Sequence, residues 1–114
     1  MENCIFCKII DRQIPSTIVY ENDSVLAFND INPVAPVHVV IIPKVHIANI
    51  NDLTAENAAV VGDIHLAVKN IASKLGIADT GYRLINNSGA DAGQTVFHLH
   101  YHLIGGMKLG DKII

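Results

Sequence analysis

The sequence predicts one α+β domain: an antiparallel sheet of about five strands, one long helix and a short N-terminal helix. Two observations carry this. Five short runs rich in β-branched residues are separated by turn signals, and a single helical period interrupts them between the third and fourth runs. The 114 residues suit a single domain spanning 1–114, with no internal repeat or low-complexity segment.

CIFCKII (4–10) reads as a short apolar helical turn. TIVYE (17–21) alternates and reads as a strand. Asn22, Asp23 and Ser24 turn the chain into VLAFN (25–29), the returning strand. DINPVAPVH is a proline-bearing loop, and VVIIP (39–43) is a buried strand stopped by proline. Residues 54–75 are helical, with Thr54 as N-cap, Glu56 in the first turn and Gly76 at C′. Val60, Ile64, Ala67, Ile71 and Leu75 form one apolar stripe, and Val61, Val68 and Ala72 form a second beside it. So broad a face fits either a deeply buried helix or a contact with a second subunit. YRLIN (82–86) is a strand, NSGADAGQ (87–94) a glycine-bearing loop, and VFHLHYHLI (96–104) the last strand. The helices are expected against one sheet face.

Half the residues are hydrophobic, 17% are charged, and the net charge is −3. That balance excludes a disordered chain and gives no footprint for general nucleic-acid binding. No apolar run approaches the ~18 residues of a membrane span. MENCIFCKII lacks the parts of a signal peptide, so a cytoplasmic location is expected. Two cysteines are too few for a disulfide framework, and their CxxC spacing raises a metal or redox question.

The last strand carries His98, His100 and His102, three of six histidines. Side chains alternate along a strand, so these three share one face with Val96 and Ile104. Phe97, Leu99, Tyr101 and Leu103 form the other, core-facing side. The histidine face fits three readings: a solvated surface, a zinc site, or nucleophilic catalysis by imidazole. The loop just upstream contains Asn87, Ser88, Gly89, Gly93, Gln94 and Thr95. Glycines there let backbone N–H groups cradle an anion, and Gln94 and Thr95 add side-chain donors.

GQTVFHLHYHLIGG resembles the signature of the histidine-triad (HIT) family of nucleotide hydrolases and transferases. CIFCKII, LAFNDINPVAPVHVVIIPKVH and NNSGADAGQTVFHLHYHL match in order, so the similarity covers nearly the whole chain. The Gly105–Gly106 pair resembles the Hint branch, the purine nucleoside phosphoramidases. The resemblance implies a HIT fold and hydrolysis of nucleoside phosphoramidates or aminoacyl-adenylates through a nucleotidyl-histidine. It implies His100 as the nucleophile and His102 as its phosphate-side partner. It places Asn87, Gly93, Gln94 and Thr95 at the phosphate, Asp30 at the ribose, and Phe6, Ile9, Phe28 and Ile31 around the base. Asn29 stands where relatives often carry histidine, which leaves the choice of purine open. In bacterial members the CxxC pairs with two histidines around structural zinc, which implies Cys4, Cys7, His46 and His98 as ligands here. His98 is then unavailable as an acid or base. His38 reads as support for an active-site histidine, and His65 as an ordinary helix residue. The implied partners are a purine nucleotide and a second copy of the chain in a homodimer. Competing readings are a dinucleoside polyphosphate hydrolase, a nucleotide-binding regulatory protein, and a metallohydrolase holding zinc on all three triad histidines.

Overall fold

The computed structural model describes residues 3–114. The chain runs α1 (Ile5–Ile10), β1 (Ile18–Glu21), β2 (Val25–Asn29), β3 (Val37–Pro43), α2 (Ala59–Lys74), β4 (Tyr82–Ile85) and β5 (Tyr101–Gly105). Short 3₁₀ turns occupy Ile50–Asp52 and Ala90–Ala92. The five strands form one antiparallel sheet in the order β1-β2-β3-β5-β4. This is the α+β architecture expected from the sequence.

Local chemistry explains the sharpest boundaries. Asn22 Oδ1 accepts from the N–H groups of Ser24 and Val25, each at 2.9 Å, which folds the β1–β2 turn. The end of α2 is a Schellman motif. Gly76 takes φ +76°, and Ile77 N–H donates to the Ala72 carbonyl at 3.0 Å. A Cβ at Gly105 would stand 2.9 Å from Ile77 Cδ1, the tip of a buried side chain that would have to shift.

Several expectations are corrected, and one question left open is answered. Regular helix starts at Ala59 rather than beside Thr54. Thr54 instead opens a preceding turn, its N–H donating to Asn57 Oδ1 at 2.7 Å, half of a capping box. The helices do not share a face. The sheet side carrying Val25, Ala27, Val39, Ile41, Tyr101 and Leu103 packs on α2, and Leu99 just before β5 joins the same core. The opposite side, with Leu26, Phe28, Val40 and Ile42, packs on Phe6, Ile9 and Ile10 of α1. The second helix stripe is largely consumed by this core: Val68 and Ala72 are buried, and Val61 packs against them. It therefore offers no argument for a second subunit.

The histidine strand is also shorter than 96–104. Pairing stops at Ile41↔Tyr101 on one side and Ile85↔His102 on the other. β3 ends at Pro43, which has no N–H to continue the ladder. Residues 96–100 are off the ladder, and Phe97, expected in the core, is 50% exposed.

Candidate functional site

Where the ladders stop, side chains take over the work of holding the chain. His98 is fully buried, and its Nε2–H donates to the Pro43 carbonyl at 2.8 Å. His100 Nδ1–H donates to the His98 carbonyl at 2.8 Å. Leu99 N–H reaches the Ile47 carbonyl at 2.6 Å. A carbonyl only accepts, so the two histidine bonds each fix a ring tautomer. His98 keeps its lone pair on Nδ1, and His100 keeps its lone pair on Nε2. His100 Nε2 makes no hydrogen bond among the described residues, yet it is not one of their sealed unpartnered atoms. It is thus a reachable lone-pair nitrogen on a ring that is itself buried.

His102 is set by a second chain of bonds. His38 Nδ1 accepts the Val34 N–H at 3.1 Å, so the His38 proton sits on Nε2. That nitrogen lies 2.9 Å from His102 Nδ1. His102 Nδ1 is therefore an acceptor, and its proton sits on Nε2 as a donor. Asp30 Oδ2 stands 3.4 Å from His38 Nε2 and 3.9 Å from His102 Nδ1. These three groups lie close enough to suggest a cation site. The Val34 N–H rules against it, because it keeps the His38 proton on the nitrogen that would have to ligate. His38, read from sequence as a supporting residue, bonds to His102.

Burial lowers the His102 pKa from its ordinary 6.5, with like-charge repulsion from His100 and His38 adding to it and Asp30 opposing. The unfolded chain takes up a proton near 6.5 while the folded chain does so only at lower pH. Stability from this group is complete above about 6.5 and declines as pH falls toward the folded value. Urea unfolding at pH about 7 and about 5.5 checks this. The parent is expected to lose more stability between them than His102→Gln does, and equal losses would contradict it.

Phe6 of α1 lies over both rings, its centroid 5.1 Å from His100 and 6.0 Å from His98. It also meets Phe28 edge-on at 5.6 Å. Phe6, Ile9 and Phe28 thus line one apolar floor and serve the core as well. Ile31 does not join them; it is 90% exposed. Asp30 spends Oδ1 on the Asn32 N–H at 2.8 Å, which leaves lone pairs on both oxygens for other donors.

The loop is more self-contained than its glycines suggest. Gln94 Oε1 accepts from Gly89 N–H at 2.8 Å, and Nε2 donates to the carbonyls of Ala48 and Val96 at 2.8 and 3.1 Å. Its buried amide therefore closes the loop. The N–H groups of Ala92, Gly93 and Gln94 are bonded inside the loop as well. Among the described residues, Asn87 and Thr95 make no such hydrogen bonds and keep free donors.

On the other side of Phe6, four ligand atoms of Cys4, Cys7, His46 and His98 lie within 4.8 Å of one another. His98 Nδ1 is 3.4 Å from Cys4 Sγ and 3.5 Å from Cys7 Sγ, and His46 Nδ1 is 3.3 Å from Cys7 Sγ. Tetrahedral zinc with ordinary bond lengths places sulfur and nitrogen about 3.5 Å apart. The set fits that geometry, and the Pro43 carbonyl already holds His98 in the ligating tautomer. Burial, with Cys4 beside it, pushes the Cys7 thiol up to about 11.

Asn86 was not singled out in the sequence. Its Nδ2 donates to the His100 carbonyl at 2.9 Å. The pairing register of β4 against β5 creates this contact, and no local pattern announces it.

The HIT domain family matches residues 11–109 of the chain. A protein of Escherichia coli K12 named purine nucleoside phosphoramidase is 50% identical over 112 residues, covering 98% of this chain and 94% of its own. A solved HIT family hydrolase from Clostridium thermocellum superposes with a TM-score of 0.98 at 60% identity, covering 100% and 99% of the two chains. A histidine triad protein from Clostridium difficile gives 0.95 at 49% identity, covering 98% and 97%.

Proposed function

This chain belongs to the HIT family and is a hydrolase of that family, and on that footing we propose that it cleaves purine nucleoside 5′-phosphoramidates and aminoacyl-adenylates. The observation that carries the reading is the pair of opposed tautomers: a bare Nε2 on His100 beside an Nε2–H on His102, with the rings 5.3 Å apart. One is a nucleophile and the other a donor to a phosphoryl oxygen.

His100 Nε2 attacks the α-phosphorus. The P–N bond to the amine breaks as the bond from Nε2 to phosphorus forms, and the amine leaves with a proton drawn from solvent water, which the later hydrolysis step gives back. Positive charge that develops on the imidazole is shared with Nδ1–H and stabilised by its hydrogen bond to the His98 carbonyl. His102 Nε2–H stabilises the charge on the phosphoryl oxygens. Water then attacks phosphorus, restores His100 and releases the nucleoside monophosphate. Asn87, Gly93, Gln94 and Thr95 shape the phosphate side, Gln94 by closing the loop. Asp30 accepts the ribose hydroxyls. Phe6, Ile9 and Phe28 floor the base site, and the exposed Ile31 side chain is free to cover it. The matching E. coli name supports a purine substrate.

Cys4, Cys7, His46 and His98 hold structural zinc in this reading. When bound, the ion ties α1 to the sheet; the chemistry at phosphorus stays with the histidines. A homodimer completes the proposal. Its support is the open edge of β4, where Tyr82 is 41% exposed. Light scattering at micromolar concentration is expected to give twice the chain mass, and a monomer would contradict it. The enzyme reading itself is tested with adenosine 5′-phosphoramidate: release of adenosine monophosphate is expected, and an inert protein would overturn the reading. No helix among the described residues is long and apolar enough to cross a membrane.

A further inference from the structure

The segment that carries His100 lies off the sheet's ladders, so something other than backbone pairing must fix it. Pairing ends at Tyr101 toward β3 and at His102 toward β4. Continuing the β4 register would set Asn87 opposite His100, but β4 has already ended at Ile85. The side chain of Asn86 stands in for the missing strand. Its Nδ2 donates to the His100 carbonyl at 2.9 Å, and its Oδ1 accepts from Ser88 Oγ–H at 2.9 Å. Ser88 Oγ in turn accepts the Ile50 N–H at 3.4 Å. The amide orientation follows from its partners. A carbonyl cannot donate, so Nδ2 must face His100, and the hydroxyl proton then completes Oδ1.

We propose that Asn86 is a positioning residue for the nucleophile, holding the His100 main chain in place where the sheet no longer does. The inference rests on the reading of His100 as nucleophile and deepens it. His98 and Asn86 form two restraints of different kinds. The His98 carbonyl sets the tautomer and ring rotation of His100, and Asn86 sets where its backbone sits. The side-chain bond also frees the main chain at Asn87 to leave β4 and enter the loop. Asn86 touches neither substrate nor phosphate in this scheme. Its loss therefore weakens in-line alignment without removing a binding contact.

The test uses the full chain with adenosine 5′-phosphoramidate. Asn86→Asp keeps the shape but replaces the donor with an oxygen that repels the carbonyl. Asn86→Ala removes the group. Both are expected to lower kcat by about 30-fold or more while KM stays within about twofold. A purely structural role would instead lower stability and the active fraction without moving the imidazole. Nitrogen-15 spectra of histidine-labelled protein read that directly: the parent shows one protonated and one bare nitrogen on His100, and the variants keep that tautomer, which the His98 carbonyl holds, but shift both resonances as the ring is displaced. Where either variant fails to fold, Ser88→Ala decides. It leaves the donor in place but frees Oδ1, and a fall in kcat of about threefold at unchanged KM is expected. Parental kcat and unchanged His100 nitrogens in the folded variants overturn the proposal. A parent that releases no adenosine monophosphate overturns the phosphoramidate reading instead, and the nitrogen spectra still decide the role of Asn86.

Discussion

Replacing His100 with alanine lowers turnover of adenosine 5′-phosphoramidate by at least about 10⁴-fold, equivalent to about 5.4 kcal/mol of transition-state stabilisation. The size follows from the chemistry. In the proposed mechanism no intermediate forms without the imidazole, and water must attack phosphorus directly. Binding survives, because Phe6, Phe28 and Asp30 are untouched, so the loss falls on kcat. His102→Ala removes a donor and leaves the nucleophile. Its fall is expected at about 10²–10³-fold, the range for one missing charge-stabilising donor. The order matters as much as the size. A His102 variant slower than the His100 variant would exchange their roles, and a His100 variant within tenfold of the parent would remove the nucleophile altogether. Steady-state kinetics on the two purified variants measures both.

Replacing Cys4 with serine is the second large effect. Serine is a poor zinc ligand at neutral pH, and the remaining three ligands leave an open coordination position. The variant is expected to be isolated with less than one-tenth of the parent's zinc and to melt about 10–15 °C lower, corresponding to roughly 3 kcal/mol in a domain of this size. The domain has its own core on α2, so it is expected to remain folded at room temperature. Activity falls too, for two structural reasons. Phe6 lies between the two cysteines and covers His100 at 5.1 Å. His98 presents its ring to the cysteines and its carbonyl to His100. Metal content by mass spectrometry and melting with and without chelator check this. A parent isolated without zinc, or a variant with parental zinc and melting temperature, would contradict it.

Much of this molecule is legible in its sequence, and the failures have identifiable causes. β2 is found at 25–29 because its bounds are set locally, by the Asn22 turn before it and the proline-bearing loop after it. The end of α2 is found because Gly76 must take a left-handed conformation. The start of α2 is missed because Thr54 and Asn57 cap a turn that becomes regular helix only at Ala59. The histidine run keeps its alternating pattern to residue 96, but a ladder needs partners, and Pro43 ends one of them. Phe97 fails as a core residue for the same reason. The side chosen by α1 is invisible locally, since six residues of mixed apolar character fit either face. The four cysteine and histidine positions come together as the family resemblance implies. Gln94 and Asn86 show the remaining gap. Their roles depend on which backbone groups are left unpaired by the tertiary fold, and that is a property of the register.

The proposed covalent intermediate is the centre of the mechanism, and it can be weighed. Protein mixed with adenosine 5′-phosphoramidate, quenched within milliseconds under conditions that preserve phosphorus–nitrogen bonds, and digested for mass spectrometry is expected to carry one adenylyl group on the peptide containing His100. The same adduct is expected to be absent from His100→Ala. Rapid release of adenosine monophosphate with no adduct at any quench time, or an adduct that persists in His100→Ala, would contradict nucleophilic catalysis by His100.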